Sequence, residues 1–176
     1  MILNHTYHPQ RATPNPSNNF KYVQWNAREL TKAKLEEFRH FLSLVKPEIA
    51  LLSETHWKES CRVKFKAFNI LKKNRPDRPG GGVAILVNKQ LSFNPFPLNP
   101  HDSVEAIGVS ILFRNNSYSD FISAYAPKGD CDMTDVSKFF SRPNPVVIGG
   151  DFNGHHPMWE KTHSPTKQEK QYSSRS

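Results

Sequence analysis

At 176 residues the chain has the length of one domain with a sizeable core, but its apolar share of 36% and mean hydropathy of -0.66 are low for a chain folded from end to end. The net charge of +8 favours a polyanionic partner, and two cysteines without a CxxC pair exclude a thiol-based zinc or redox centre and point to a reducing compartment. No apolar run has the length of a membrane span and the first residues lack a secretory signal's apolar region, so a soluble intracellular protein is expected.

Residues 1–19 carry Pro9, Pro14, Pro16 and four asparagines with almost nothing to bury, and read as a disordered lead-in. Phe20 to Asn26 is rich in aromatic and β-branched side chains and reads as the first strand. From Thr31 to Val45 the apolar residues Leu35, Phe38, Leu42 and Val45 recur at helical spacing, with Thr31 as N-cap and Pro47 just past the end. Ile49 to Leu52 is a short buried strand running into Ser53-Glu54-Thr55-His56, so the order strand, helix, strand marks an α/β unit.

Phe65 to Leu71 reads as a further strand, and residues 74–81, with two prolines and two glycines, as an exposed loop. These segments lie in a basic stretch, Lys58 to Arg78, that holds eight basic residues against Glu59 and Asp77. Such a concentration suits nucleic acid, although a solvated basic loop has the same composition. Lys64, Lys66, Lys72, Lys73, Arg75 and Arg78 are the candidate contacts.

Val83 to Val87 is a buried strand, while Val104 to Phe113 and Tyr118 to Tyr125 form a hairpin about an asparagine turn. Lys128 to Asp135 is a polar connection, and Val136 to Phe140 makes one helical turn or two. Val146-Val147-Ile148 reads as a strand buried on both faces that delivers Asp151, Asn153, His155 and His156 at its end. After Trp159 the composition turns polar, and residues 161–176 are expected to be a disordered tail.

Four strands thus end in residues of chemical use: Asn26, Glu54, Tyr125, and Asp151 with Asn153. Singly, each has an ordinary explanation as a turn residue, a solvated carboxylate or a packed phenol. Together, at one rim, they would make a site of hard oxygen donors that suits Mg²⁺ better than zinc. His155 and His156 are adjacent, which does not favour a shared metal.

Gln24-Trp25-Asn26, Leu52-Ser53-Glu54-Thr55, Gly80-Gly81-Gly82-Val83-Ala84-Ile85, Tyr125-Ala126-Pro127 and Gly149-Gly150-Asp151-Phe152-Asn153-Gly154-His155-His156 stand in this order along the chain. In this the chain resembles the endonuclease/exonuclease/phosphatase superfamily, and most of all the endonuclease domain of jockey-type non-LTR retrotransposons, over about residues 20–160. The resemblance implies a four-layered α/β sandwich of the DNase I-like type and divalent-metal-dependent nicking of DNA, with Mg²⁺ or Mn²⁺ as cofactor, in a monomer acting in the nucleus. It assigns Glu54 and Asn26 to the metal, Tyr125 to the scissile phosphate, Asp151 to the attacking water and Asn153 to the phosphate or nucleophile. The family's closing Ser-Asp-His-type motif has no counterpart here, since His163 is followed by Ser164-Pro165. A C-terminally incomplete and catalytically impaired copy is therefore expected, with an inactive remnant that binds nucleic acid through residues 58–78 as the alternative.

Overall fold

A computed structural model describes residues 20–75, 80–98, 104–127 and 133–153. Along the chain these form β1 (Tyr22–Asn26), α1 (Lys32–Val45), β2 (Ile49–Ser53), β3 (Phe68–Lys73), β4 (Val83–Asn88), β5 (Phe93–Phe96), β6 (Glu105–Leu112), β7 (Tyr118–Tyr125), α2 (Met133–Phe140) and β8 (Val146–Asp151). The strands make two four-stranded mixed sheets, ordered β1-β2-β4-β3 and β5-β6-β7-β8. In each, one parallel pair, β1 with β2 or β7 with β8, is joined by a helix.

The period-two alternation of the strands sorts side chains into the layers. Ala50, Leu52, Ala84 and Leu86 face outward and pack with Phe38 and Leu42 of α1. Ile49, Leu51, Ile85 and Val87 face inward, against Phe93, Val109, Ile111 and Phe121 of the second sheet. On the far side Ala106, Ile122 and Ala124 pack with Phe139 of α2. The result is helix, sheet, sheet, helix: a four-layered α/β sandwich.

Helix α1 starts where Thr31 Oγ1 accepts the Lys34 amide at 3.4 Å and ends at left-handed Lys46, whose N–H returns to the Leu42 carbonyl. The strand expected to start at Phe65 starts at Phe68. Phe65 is buried under α1, and its carbonyl accepts the Phe68 amide in a turn that precedes the ladder. Strand β5 has no sequence-based expectation, since Pro95 discourages one. It is tolerated because β5 is an edge strand, where one side of the backbone needs no ladder partner. Helix α2 takes in Met133 to Asp135, the end of what reads as a polar connection.

Strand β8 corrects the expectation of burial on both faces. Every one of its residues is partly exposed, because it is the edge of its sheet and pairs only with β7 among the described residues. Its apolar run is nevertheless in use: Val147 faces the inner layer, and Val146 and Ile148 face the outer one.

Gly149 leaves no room for a side chain between the sheets, since an added Cβ would lie 2.7 Å from Leu51 Cδ1 and 3.0 Å from Gln24 Cγ. Gly149→Val is therefore expected to cost about 1–3 kcal/mol by overpacking, read as a lower urea midpoint at unchanged slope. A wild-type midpoint would show that the sheets yield there.

Candidate active site

The same alternation that builds the inner layer also places the site. Tyr22, Gln24 and Asn26 take the inward positions of β1; Phe121, Ser123 and Tyr125 those of β7; Val147, Gly149 and Asp151 those of β8; Ile107 and Glu105 those of β6. Followed towards one end of the sandwich, each inward row passes from apolar to polar. The parallel pairs β1 with β2 and β7 with β8 both run towards that end, so their carboxyl termini meet at one rim. Ser123 ties the sheets together just below it by donating its hydroxyl to the Leu52 carbonyl at 2.8 Å.

At the rim, Asn26 is the hub. Its Nδ2 donates to Glu54 Oε1 at 2.7 Å and to Asp151 Oδ2, while its Oδ1 accepts the Arg28 amide at 3.0 Å. Residues 125 positions apart are thereby brought into contact. Asp151 keeps its other oxygen on the Asn153 amide at 3.0 Å, and Asn153 Nδ2 donates to the Ala126 carbonyl at 3.1 Å. Asn153 is thus a clamp between the end of β8 and the end of β7. His56 Nε2 stands 3.9 Å from Glu54 Oε2.

Strain concentrates here as well. Glu54, His56 and Asn153 have left-handed backbones at φ 52°, 52° and 44°, a region that non-glycine residues enter at a cost. Hydrogen bonds hold Glu54 in it from both sides: Ala27 N to Ser53 O at 2.8 Å, Glu29 N to Glu54 O at 2.9 Å and Thr55 N to Gly82 O at 3.1 Å. The conformation turns the chain after β2 so that the carboxylate reaches Asn26. The glycine triplet supports this turn. Gly81, expected in an exposed loop, is buried together with Gly82 against Thr55 and His56, and a Cβ on Gly82 would lie 2.8 Å from Thr55 Oγ1.

Tyr125 is buried on the inner face. Burial, and after it the nearby Glu54 charge, pushes its phenol above the ordinary value; Asp151 and Glu105 act the same way, against the Arg75 charge. Tyr125 therefore stays a neutral donor across the physiological range. Because the folded state holds this proton more tightly, its stabilising contribution is full below the ordinary tyrosine range and is lost as pH rises through the raised value. The ultraviolet phenolate titration of wild type minus Tyr125→Phe should show one late-ionising tyrosine; a difference curve at or below the ordinary range would contradict this environment.

Beside Tyr125 stand Glu105, which carries no sequence-based expectation, and Arg75, expected as a nucleic-acid contact. Glu105, opposite Tyr125 in the ladder, accepts the Gly82 amide at 2.6 Å and pairs with Arg75. The Arg75 guanidinium lies 5.7 Å from the Tyr125 ring centroid. Arg75 is thus engaged within the site wall rather than presented as a free cation. The signal for Glu105 was a lone carboxylate in phase with Ile107, Val109 and Ile111. For His56 it was an imidazole two positions after Glu54.

The basic stretch divides. Lys73, exposed, lies with Arg75 at the site end of β3, as the pairing of Lys73 with Val83 requires. Lys72 is partly buried and donates to the Cys61 carbonyl at 3.3 Å. Lys64 and Lys66 precede β3 and lie at its other end, beside Asn88. Arg78, His155 and His156 lie outside the described residues, as do the two expected disordered segments.

Among the described residues no group of three His, Cys, Asp or Glu side chains could hold a metal by itself. The carboxylates of Glu54 and Asp151, converging on the Asn26 amide, are the hard oxygen donors present. No helix among the described residues is long and apolar enough to cross a membrane.

The profile of the Endonuclease/Exonuclease/phosphatase family matches residues 23–171. The RNA-directed DNA polymerase from mobile element jockey of Drosophila melanogaster is 28% identical over 139 residues, which cover 77% of this chain and 15% of that protein. The probable RNA-directed DNA polymerase from transposon X-element of the same species is 27% identical over 144 residues, covering 79% and 16%. This chain therefore spans about a sixth of the length of these relatives. Among solved structures, the AP endonuclease LMAP from Leishmania major superposes with a TM-score of 0.62 at 14% identity, over 91% of this chain and 66% of that one. D. rerio TDP2 complexed with single strand DNA product gives 0.56 at 10% identity, over 80% and 63%. These structures share the fold.

Proposed function

Because this chain belongs to the Endonuclease/Exonuclease/phosphatase family, we propose that its rim is a phosphodiesterase site that nicks DNA with the help of a divalent cation. The single observation that carries the reading is the Asn26 bridge, which brings Glu54 of one sheet and Asp151 of the other to a common point. The relatives that resemble it in sequence are mobile-element proteins, and one structural neighbour holds a DNA product. Both support DNA as substrate, and a DNA substrate in turn favours action in the nucleus.

Glu54 and Asp151 fit a hard cation of the Mg²⁺ or Mn²⁺ kind, which takes one or two carboxylates and completes its shell with water and substrate phosphate. Asn26 would join them as an oxygen ligand only after a half-turn of its amide, since its Oδ1 now accepts from Arg28. When bound, the cation supplies charge stabilisation to the phosphodiester.

The protein's own groups divide the remaining work. Asp151, fixed by the Asn153 amide and by Asn26, orients the attacking water and accepts its proton. Tyr125, kept protonated, donates a hydrogen bond to a non-bridging phosphate oxygen as charge grows there. Asn153 holds Asp151 against β7, at the end of the strand from which Tyr125 reaches the phosphate. Lys73, exposed at the rim, attracts the backbone of the DNA.

The purified chain tests this on supercoiled plasmid with Mg²⁺, with Mn²⁺ and with a chelator. Open circles formed only with metal, and lost in Glu54→Gln, support the reading. Metal-independent binding that weakens steeply with salt, without nicking, would replace it with nucleic-acid binding alone.

A further inference from the structure

The end of the sandwich opposite the site carries a concavity. It is a groove of about 750 Å³ between the last turns of α1 and the segment leading into β3, floored by Leu42, Pro47, Phe65 and Phe68. The pairing of Phe68 with Asn88, and of Lys73 with Val83, puts the length of β4, roughly 17–20 Å, between groove and site.

We infer that this groove docks an acidic peptide segment of another protein, with an apolar side chain on the floor and carboxylates on the rim. The rim carries Arg39, Lys46, Lys64 and Lys66, and no Asp or Glu among the described residues lines it. Lys46, Lys64 and Lys66 are exposed, and none has a carboxylate partner among the described residues. Arg39 forms a fixed wall: it donates to Glu36 and to the Lys64 carbonyl, and its guanidinium lies 5.7 Å from the Phe65 centroid.

Charge complementarity and shape together select the occupant. The floor aromatics are buried and Arg39 covers one of them, so no open ring face is offered for a base to stack on, which disfavours a nucleic-acid strand. An aliphatic or aromatic peptide side chain needs only apolar contact. Neither residues 1–19, which contain no Asp or Glu, nor residues 154–176, which contain more basic than acidic residues, supply such an acidic run. A second copy, at net +8, would meet like charge.

Fluorescence anisotropy with the full chain tests this, using a fluorescein-labelled peptide with a leucine-phenylalanine pair flanked by runs of aspartate and glutamate. Saturable binding is expected, weakened about tenfold or more by Lys64→Glu/Lys66→Glu and about tenfold when a serine pair replaces the apolar pair. Lys32→Glu/Lys73→Glu makes the same charge change away from the groove and should leave binding within about twofold. The positions exchanged are exposed, so the fold tolerates them. Absent binding, an equal loss in both double variants, or displacement by oligothymidine at equal concentration would overturn the inference.

Discussion

Asp151→Asn is expected to slow plasmid nicking by about 10³-fold while leaving the unfolding free energy, read from urea denaturation, within about 1 kcal/mol of wild type. The exchange keeps size and shape. The amide oxygen can still accept the Asn153 N–H, so the clamp between β8 and β7 survives. The other position becomes an NH₂ group facing the Asn26 amide, which already donates there, and two donors replace a donor and an acceptor. Above all, an amide accepts no proton from water. A variant that retained more than about a tenth of the rate would remove Asp151 from the proposed chemistry. Tyr125→Phe serves as the graded comparison, expected to cost about 10²-fold because one neutral donor is lost and no charge.

Arg142→Ala is expected to destabilise the domain by about 3 kcal/mol without touching a site residue. Asp120, wholly buried on β7, accepts from Ser110 Oγ at 2.5 Å, from Asn144 Nδ2 at 3.0 Å and from Arg142, whose guanidinium stacks 3.4 Å from the Phe96 ring centroid. Burial alone would raise the Asp120 carboxyl; the bonds from Ser110, Arg142 and Asn144, with the Arg142 charge, outweigh it and hold it below the ordinary range. A carboxyl lowered on folding stabilises above its unfolded value, and that contribution is lost as pH falls through the folded one. Without Arg142 the buried carboxylate loses its cation, so acid unfolding should begin at higher pH.

Adding Asp120→Asn to Arg142→Ala should restore most of the loss, since it removes the stranded charge. Failure to restore it would mean that the stacking on Phe96, not the ion pair, is what matters. The same network anchors the entry to β8, where Asp120 N donates to the Pro145 carbonyl at 2.8 Å. Strand β8 starts there in the register that ends with Asp151 opposite Tyr125, so part of the stability and the site geometry share one anchor.

Much of this protein was legible in one dimension. Helix α1 was visible because Leu35, Phe38 and Leu42 keep a helical period and Thr31 caps it, both local properties. The buried strands β2 and β4 were visible as short apolar runs. Asn26, Glu54, Tyr125 and Asp151 stood out because each is polar where an apolar strand stops. The ordering of short motifs added the family, and with it the four layers.

What the chain could not declare by itself was pairing across distance. That β8 is an edge strand depends on which strand lies beside it, and apolar content does not record that. Strand β5 is strand because β6 offers it a ladder, despite Pro95. Arg75 and Glu105, thirty positions apart, are a cation and an anion among many until the ladder sets Glu105 against Tyr125. The six clustered cations looked like one patch, yet a strand of six residues carries its two ends to opposite rims, and Lys64 parts from Lys73 for that reason. The sequence by itself determined that Asn26, Glu54, Tyr125 and Asp151 stand where apolar strands end. Only the tertiary structure decided that both parallel pairs point to one rim, because strand direction and sheet stacking are set by contacts between residues far apart in the chain.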